Sequence, residues 1–251
     1  MMLLTHTARV LAIGVALAVL AACTDKPSSE PSARATTSDP DIVFKDTFET
    51  NPFDRWEPVT KSAWKWEKGG KTEKGAQTGQ SGVFDQFKNV DPKEAVRAPF
   101  NRNIAKGVVV GTFQFEAGVQ STARDYEHRD VCVIFGYQDP AHMYYVHLGK
   151  VTDKNSNGIF LVNGKDRAKI SSPDVPGTPW DSNWHYVRIV RSAKTGLIEV
   201  FFDDMDTAVM SVVDKTFTSG GIGIGTFDDT ARFDDVYVYK VPFRGWTTRE
   251  N

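Results

Sequence analysis

The sequence predicts an all-β protein, a single β-sandwich domain, on three observations. Short runs rich in Val, Ile, Phe and Tyr alternate with period two and are bounded by Gly, Pro, Asn or Asp. Roughly a dozen such runs follow one another at turn-punctuated spacing, as in a sandwich or barrel. Beyond residue 41 no stretch carries the apolar repeat of an amphipathic helix, which argues against α/β folds and their nucleotide sites.

The chain opens differently. Residues 1–9 end on the positive Arg9, and residues 10–20 are uninterruptedly apolar or small, too short for a spanning helix of about 20 residues and suited to a signal-peptide core. Leu20-Ala21-Ala22-Cys23 follows and resembles the lipobox of bacterial lipoproteins, which implies cleavage before Cys23 and lipidation of its thiol. Small side chains at 21 and 22 admit a peptidase, and several acyl chains at about 0.8 kcal/mol per buried methylene make attachment effectively permanent. Thr24 stands where Asp would mark inner-membrane retention, so an outer membrane is favoured where the host has one. The expected location is therefore the bacterial cell envelope, reached through a lipid anchor only.

After the anchor, residues 23–41 are rich in Ser, Thr, Pro and charge and cannot bury enough apolar surface to order themselves, which makes them a tether. The sandwich is expected over residues 42–240, with 241–251 as a tail. Its strands are expected, in order, at 42–48, 64–67, 83–84, 108–116, 131–137, 143–148, 158–162, 186–190, 198–202, 221–226 and 233–239, with hairpin turns at Lys154 to Gly158, Asn163-Gly164 and Asp203-Asp204.

Composition narrows function only to a class. The 251 residues carry a net charge of −2, so no phosphate-neutralising surface is implied and nucleic acid is not an expected partner. With Cys23 lipidated, Cys132 is the one thiol left and no intrachain disulfide is available; its apolar surroundings make it a small buried hydrophobe. No His-Glu-x-x-His or paired Cys-x-x-Cys occurs, so zinc catalysis has no support. Gly220 to Gly225 leads into Thr226-Phe227 rather than a helix, which makes it a tightly packed strand and not a phosphate cradle. The carboxylates of Asp125 to Asp130 lack the same-strand alternation that a retaining glucanase needs, and read as a solvated loop. Asp153 to Gly158 begins like a calcium loop but has Gly164 where the bidentate Glu should stand.

Several segments together resemble the concanavalin A-like, laminin-G-type jelly roll. They are Asp139-Pro140-Ala141-His142-Met143-Tyr144-Tyr145-Val146-His147-Leu148-Gly149, Asn183-Trp184-His185-Tyr186-Val187-Arg188, Ile198-Glu199-Val200-Phe201-Phe202-Asp203-Asp204, and Gly221-Ile222-Gly223-Ile224-Gly225 with Phe233-Asp234-Asp235-Val236. The opening Asp46-Thr47-Phe48 with Trp56 and Trp64-Lys65-Trp66 is similar to how such domains begin. The order and spacing are nearest to keto-disaccharide hydrolase-like envelope proteins. The resemblance implies a carbohydrate ligand. It leaves the activity open between a non-catalytic binding module, a glycan-degrading enzyme (a keto-disaccharide hydrolase-like protein or a polysaccharide lyase) and a structural envelope protein.

Parity supplies the candidate ligand residues. If Tyr144, Val146 and Leu148 face the core, Met143, Tyr145 and His147 face the other way, where a jelly roll carries its groove. The same rule turns Gln114 and Glu116 outward opposite Phe113 and Phe115, and Arg97 outward opposite Val96; which sheet owns each strand stays open. Trp180, between Pro179 and Asp181, is a loop-borne candidate for a ligand contact, and His185 a core-edge histidine. In a lyase, Tyr145 and His147 would be acid and base and Arg97 would neutralise a uronate. No cofactor is required. The resemblance also implies a structural calcium ion where first and last strands meet, which brings Asp46 and Asp235 together.

Overall fold

The computed structural model describes residues 42–70 and 81–240. The predicted signal peptide, Cys23, the tether and the 241–251 tail lie outside these residues. The described chain folds as an all-β jelly-roll sandwich of two antiparallel sheets.

Sheet A contains β1 (Ile42–Asp46), β3 (Trp64–Gly70), β4 (Ser81–Gln86), β6 (Phe113–Ser121), β11 (His185–Arg191), β12 (Leu197–Phe202), β13 (Met210–Val213) and β15 (Ala231–Tyr239). Its spatial order is β13-β12-β11-β6-β15-β4-β3, with β1 also on β15. β15 bends at a bulge after Asp234, where Asp235 adopts φ 50°; β4 pairs with the strand before the bulge and β1 after it.

Sheet B contains β2 (Trp56–Pro58), β5 (Asn101–Ala105), β7 (Asp130–Asp139), β8 (His142–Gly149), β9 (Gly158–Asn163), β10 (Ala168–Lys169) and β14 (Gly221–Thr226), in the order β10-β9-β8-β7-β14-β5-β2. Its edges are very short, and β2 ends in Pro58, which blunts further pairing.

All eleven expected strands are present, although the one expected at 108–116 begins at Phe113 and runs on to Ser121. The added strands β2, β5, β10 and β13 are short or polar, so period two is not visible in them.

Alternate residues meet between the sheets. Phe113, Phe115, Ala117 and Val119 of β6, Val187 and Ile189 of β11, and Phe233, Val236 and Val238 of β15 pack against Val131, Val133 and Phe135 of β7, Tyr144, Val146 and Leu148 of β8, and Ile222 and Ile224 of β14. Phe113 and Phe135 touch edge to face across the sandwich, 5.8 Å between centroids.

Sheet B is apolar on its outer face as well. Cys132, Ile134, Met143, Tyr145, Phe160 and Val162 form a second cluster, covered by Val96, Ala98 and Phe100 of the preceding loop and by Phe227. Burial on both faces explains the unbroken apolar run of β7. Gly136 (φ 58°) sits at a bulge in β7, and a Cβ on Gly220 would lie 2.3 Å from its carbonyl carbon, so glycines permit this approach. A Cβ on Gly225 would lie 2.1 Å from the Asn101 oxygen, as expected of a packed glycine strand.

Candidate pocket on the outer face of sheet B

Beyond the second cluster, the outer face of sheet B opens into a cavity of about 430 Å³ lined by Arg97, His128, His147, Asn155, Arg167, Phe227 and Asp228. Each part of the frame has a local cause. β8 places His147 opposite Cys132 of β7 and Gly158 of β9. The turn after β9 folds back so that the Arg167 N–H donates to the Arg97 carbonyl at 3.2 Å, and the Asp166 carboxylate accepts the Arg97 N–H at 2.8 Å. Both arginines therefore lean over Phe227, with guanidinium carbons 5.0 Å (Arg97) and 3.7 Å (Arg167) from the ring centre.

His147 is buried, and its Nδ1 accepts the Asn157 N–H at 3.1 Å. The neutral ring consequently carries its proton on Nε2, which lies 4.0 Å from the Asp130 carboxylate. Burial, with Arg167, Lys169 and His128 nearby, holds the imidazole well below the usual histidine range, so it is a neutral donor. Burial, with Asp229 beside it, raises Asp130 well above the usual carboxylate range. Asp130 Oδ1 accepts the Phe227 N–H at 2.6 Å, while Oδ2, the oxygen nearest His147, makes no hydrogen bond among the described residues. Asp130 was expected in a solvated loop and instead opens β7 as a fully buried residue. Its parity with Cys132 and Ile134 carried that information.

The predicted groove residues separate. Tyr145 and His147 do point away from the inter-sheet core, and Arg97 reaches the same pocket as His147. Gln114 and Glu116 belong to β6 of sheet A and point outward on the opposite side of the sandwich. There Glu116 Oε1 accepts from Gln114 Nε2 and Arg188 Nε, each at 2.8 Å, and Oε2 accepts from the Tyr186 hydroxyl. A single groove shared by all five is thus corrected by strand ownership.

Two further corrections concern aromatics. Tyr145 is fully buried and stacked on Phe160, 5.1 Å between centroids, so its ring is floor beneath the pocket and has no free face for a sugar. Its hydroxyl lies beside the Arg167 side chain without a well-formed hydrogen bond, and burial holds its proton on. Trp180 is a buried plug rather than a loop contact: its Nε1 donates to the Leu148 carbonyl at 2.7 Å and its ring meets Phe202 edge to face. His185 sits beside it at the core edge, held by Asp203 (2.8 Å) and Asp181 (3.0 Å).

The implied calcium site does not fit. Asp46 Oδ2 accepts from Arg55 Nε at 2.9 Å and Trp56 Nε1 at 2.8 Å, while Oδ1 accepts from the Phe48 N–H and Arg55 Nη2. Its acceptor positions are spent on donors, and Asp235 is turned by the bulge. In the loop before β9, carbonyls of Asp153, Ser156 and Asn157 do gather round a cation, and that cation is the Lys169 ammonium. Asp130, Cys132 and His147 have ligand-type atoms within 4.8 Å of one another. A ligating imidazole donates its other N–H to an acceptor, whereas His147 meets a donor there, so its Nε2 lone pair is not available to a metal.

His128, Asn155, Arg167, Phe227 and Asp228 were not anticipated. Phe227 shares the parity of Gly221, Gly223 and Gly225, and so its outward face was readable; the others come from loops joined only by long-range pairing.

No family model and no curated protein sequence matches the chain. Among solved structures, it is similar to a carbohydrate-binding module, CBM66, from Bacillus subtilis, with 14% identity over 73% of this chain and 94% of that one and a TM-score of 0.49. It is similar to lectin I-B4 from Griffonia simplicifolia, with 10% identity over 78% and 98% and a TM-score of 0.41. A third is the Emp47p carbohydrate recognition domain, with 12% identity over 82% and 96% and a TM-score of 0.46. At these identities and scores the likeness is one of general architecture, and function rests on the pocket itself.

Proposed function

We propose that the protein is an envelope-tethered module that binds carbohydrate without turning it over, and that the sugar seats in the pocket of Arg97, His128, His147, Asn155, Arg167, Phe227 and Asp228. The observation that carries this reading is the convergence of donors and acceptors on a cavity of about 430 Å³, within the range of small-ligand sites. His147 Nε2–H, the Asn155 amide and two guanidinium groups offer donors, and Asp228 offers an acceptor, a mixture suited to hydroxyls that both give and take protons. Anchoring follows from the Leu20-Ala21-Ala22-Cys23 motif.

Binding is favoured over catalysis because the acid–base pair that a lyase would use is not poised for it. The Nδ1 lone pair of His147 is committed to Asn157, and its Nε2 bears the proton. Tyr145 is sealed beneath the pocket with its proton held on. Neither offers a base to a bound sugar.

The test is to incubate the purified chain with a panel of neutral and acidic polysaccharides and read both retention and product release. The expected result is retention with no new reducing ends or unsaturated products. Steady product release would replace this reading with the glycan-degrading enzyme.

A further inference from the structure

The pocket carries more positive charge than a neutral sugar requires. Arg97 and Arg167 both line it and both lie against the Phe227 ring, and among the described residues the arginines in salt bridges are Arg55, Arg102, Arg188 and Arg232, not these two. Arg97 is exposed, whereas Arg167 is half-buried, its Nη1 fully buried without a well-formed hydrogen bond and its side chain beside the Tyr145 hydroxyl. Holding two guanidinium groups on one ring is unfavourable until an anion joins them, and leaving a buried N–H unpaired adds to that cost. Asp228 is the one carboxylate in the lining.

We propose that the glycan recognised here is acidic: a sugar bearing a carboxylate or a sulfate ester, whose oxyanion seats between the guanidinium groups of Arg97 and Arg167 with His147 Nε2–H as a further donor. This rests on the pocket being the glycan site. A planar fork suits either oxyanion, because two parallel N–H groups can meet two oxygens at once.

The experiment measures affinity of the full chain, purified in mild detergent, for polygalacturonate, alginate and a sulfated galactan, each beside its carboxyl-reduced or desulfated counterpart. Acidic polymers are expected to bind at least tenfold tighter than their neutral counterparts, and retention of only one acidic type names the oxyanion. Arg97→Gln and Arg167→Gln should each weaken acidic binding about tenfold or more, the order expected for a charge-assisted hydrogen bond, and Asp228→Asn should tighten it. Should Arg167→Gln fail to fold, Arg97→Gln and Asp228→Asn decide, since both side chains are at least partly exposed. Neutral counterparts held as tightly as their parents would overturn the acidic assignment while leaving a glycan pocket in place. Unchanged acidic binding in both Arg97→Gln and Asp228→Asn would do the same. A chain that holds no polymer of the panel would overturn the glycan reading itself.

Discussion

Tyr145 and His147 are neighbours on one strand with opposite consequences. Tyr145 fills space between Phe160 and Phe227, and its hydroxyl, beside Arg167, makes no well-formed hydrogen bond, so its ring matters far more than its oxygen. Tyr145→Phe should leave stability within about 1 kcal/mol of wild type or raise it slightly, because removing a buried unsatisfied group relieves a desolvation cost. Tyr145→Ala should cost about 3–5 kcal/mol through the cavity it opens. Denaturant unfolding separates the two, and equal losses would mean the hydroxyl holds something essential. Asp46 is a hydrogen-bond hub rather than a metal ligand. With Arg55, Trp56 and Phe48 all donating to it, Asp46→Ala should destabilise by about 2–3 kcal/mol, the scale of lost hydrogen bonds to a charged group. Melting in calcium and in a chelator should coincide; a transition that rises with calcium would restore a metal there.

Strand order explains what was legible and what was not. Side-chain parity is a property of one strand, so the split of Tyr144, Val146 and Leu148 from Met143, Tyr145 and His147 could be read directly. Which sheet a strand joins is decided by partners far along the chain: β6 lies between β11 and β15, while β8 lies between β7 and β9. For that reason Gln114 and Glu116 looked like neighbours of His147 and stand on the other side of the sandwich. In the loop over sheet B, parity correctly turns Arg97 outward from Val96, but Val96, Ala98 and Phe100 alternate as a strand would without forming one, so their place over the outer face is not visible in the sequence. At the β3-β4-β15 seam, Asp85 lies between Lys65 (3.3 Å) and Arg232 (3.5 Å), yet burial outweighs both and raises its carboxyl above the usual range. An acid with a raised folded-state pKa binds its proton more tightly when folded. Stability is therefore lost as pH rises from the ordinary Asp range through the raised value. Asp85→Asn lacks this titration, so its stability relative to wild type should improve across that window, as read by urea midpoints at stepped pH. A difference independent of pH would show that Asp85 ionises as freely folded as unfolded.

At the scale of the whole molecule, the sandwich presents two outer faces of different character. Sheet A offers a hydrogen-bonded network around Glu116, already satisfied by Gln114, Tyr186 and Arg188. Sheet B offers a cavity lined by Arg97 and Arg167, with the buried Arg167 Nη1 lacking a well-formed hydrogen bond. The proposed lipid anchor would hold either face near the envelope. Cys23→Ser should abolish incorporation of a fatty-acid probe and leave the precursor uncleaved, whereas probe incorporation into the Ser variant would remove the lipobox from the account. The claim on which the rest depends is that carbohydrate meets the protein on sheet B. Its most direct test compares retention of the best glycan of the panel by Asn155→Ala, which alters an exposed pocket residue, and by Gln114→Ala, which alters the opposite face. The account predicts that Asn155→Ala weakens binding several-fold, the order of one lost hydrogen bond, while Gln114→Ala binds like wild type. Loss of binding in Gln114→Ala with Asn155→Ala unaffected would place the ligand on sheet A and contradict it.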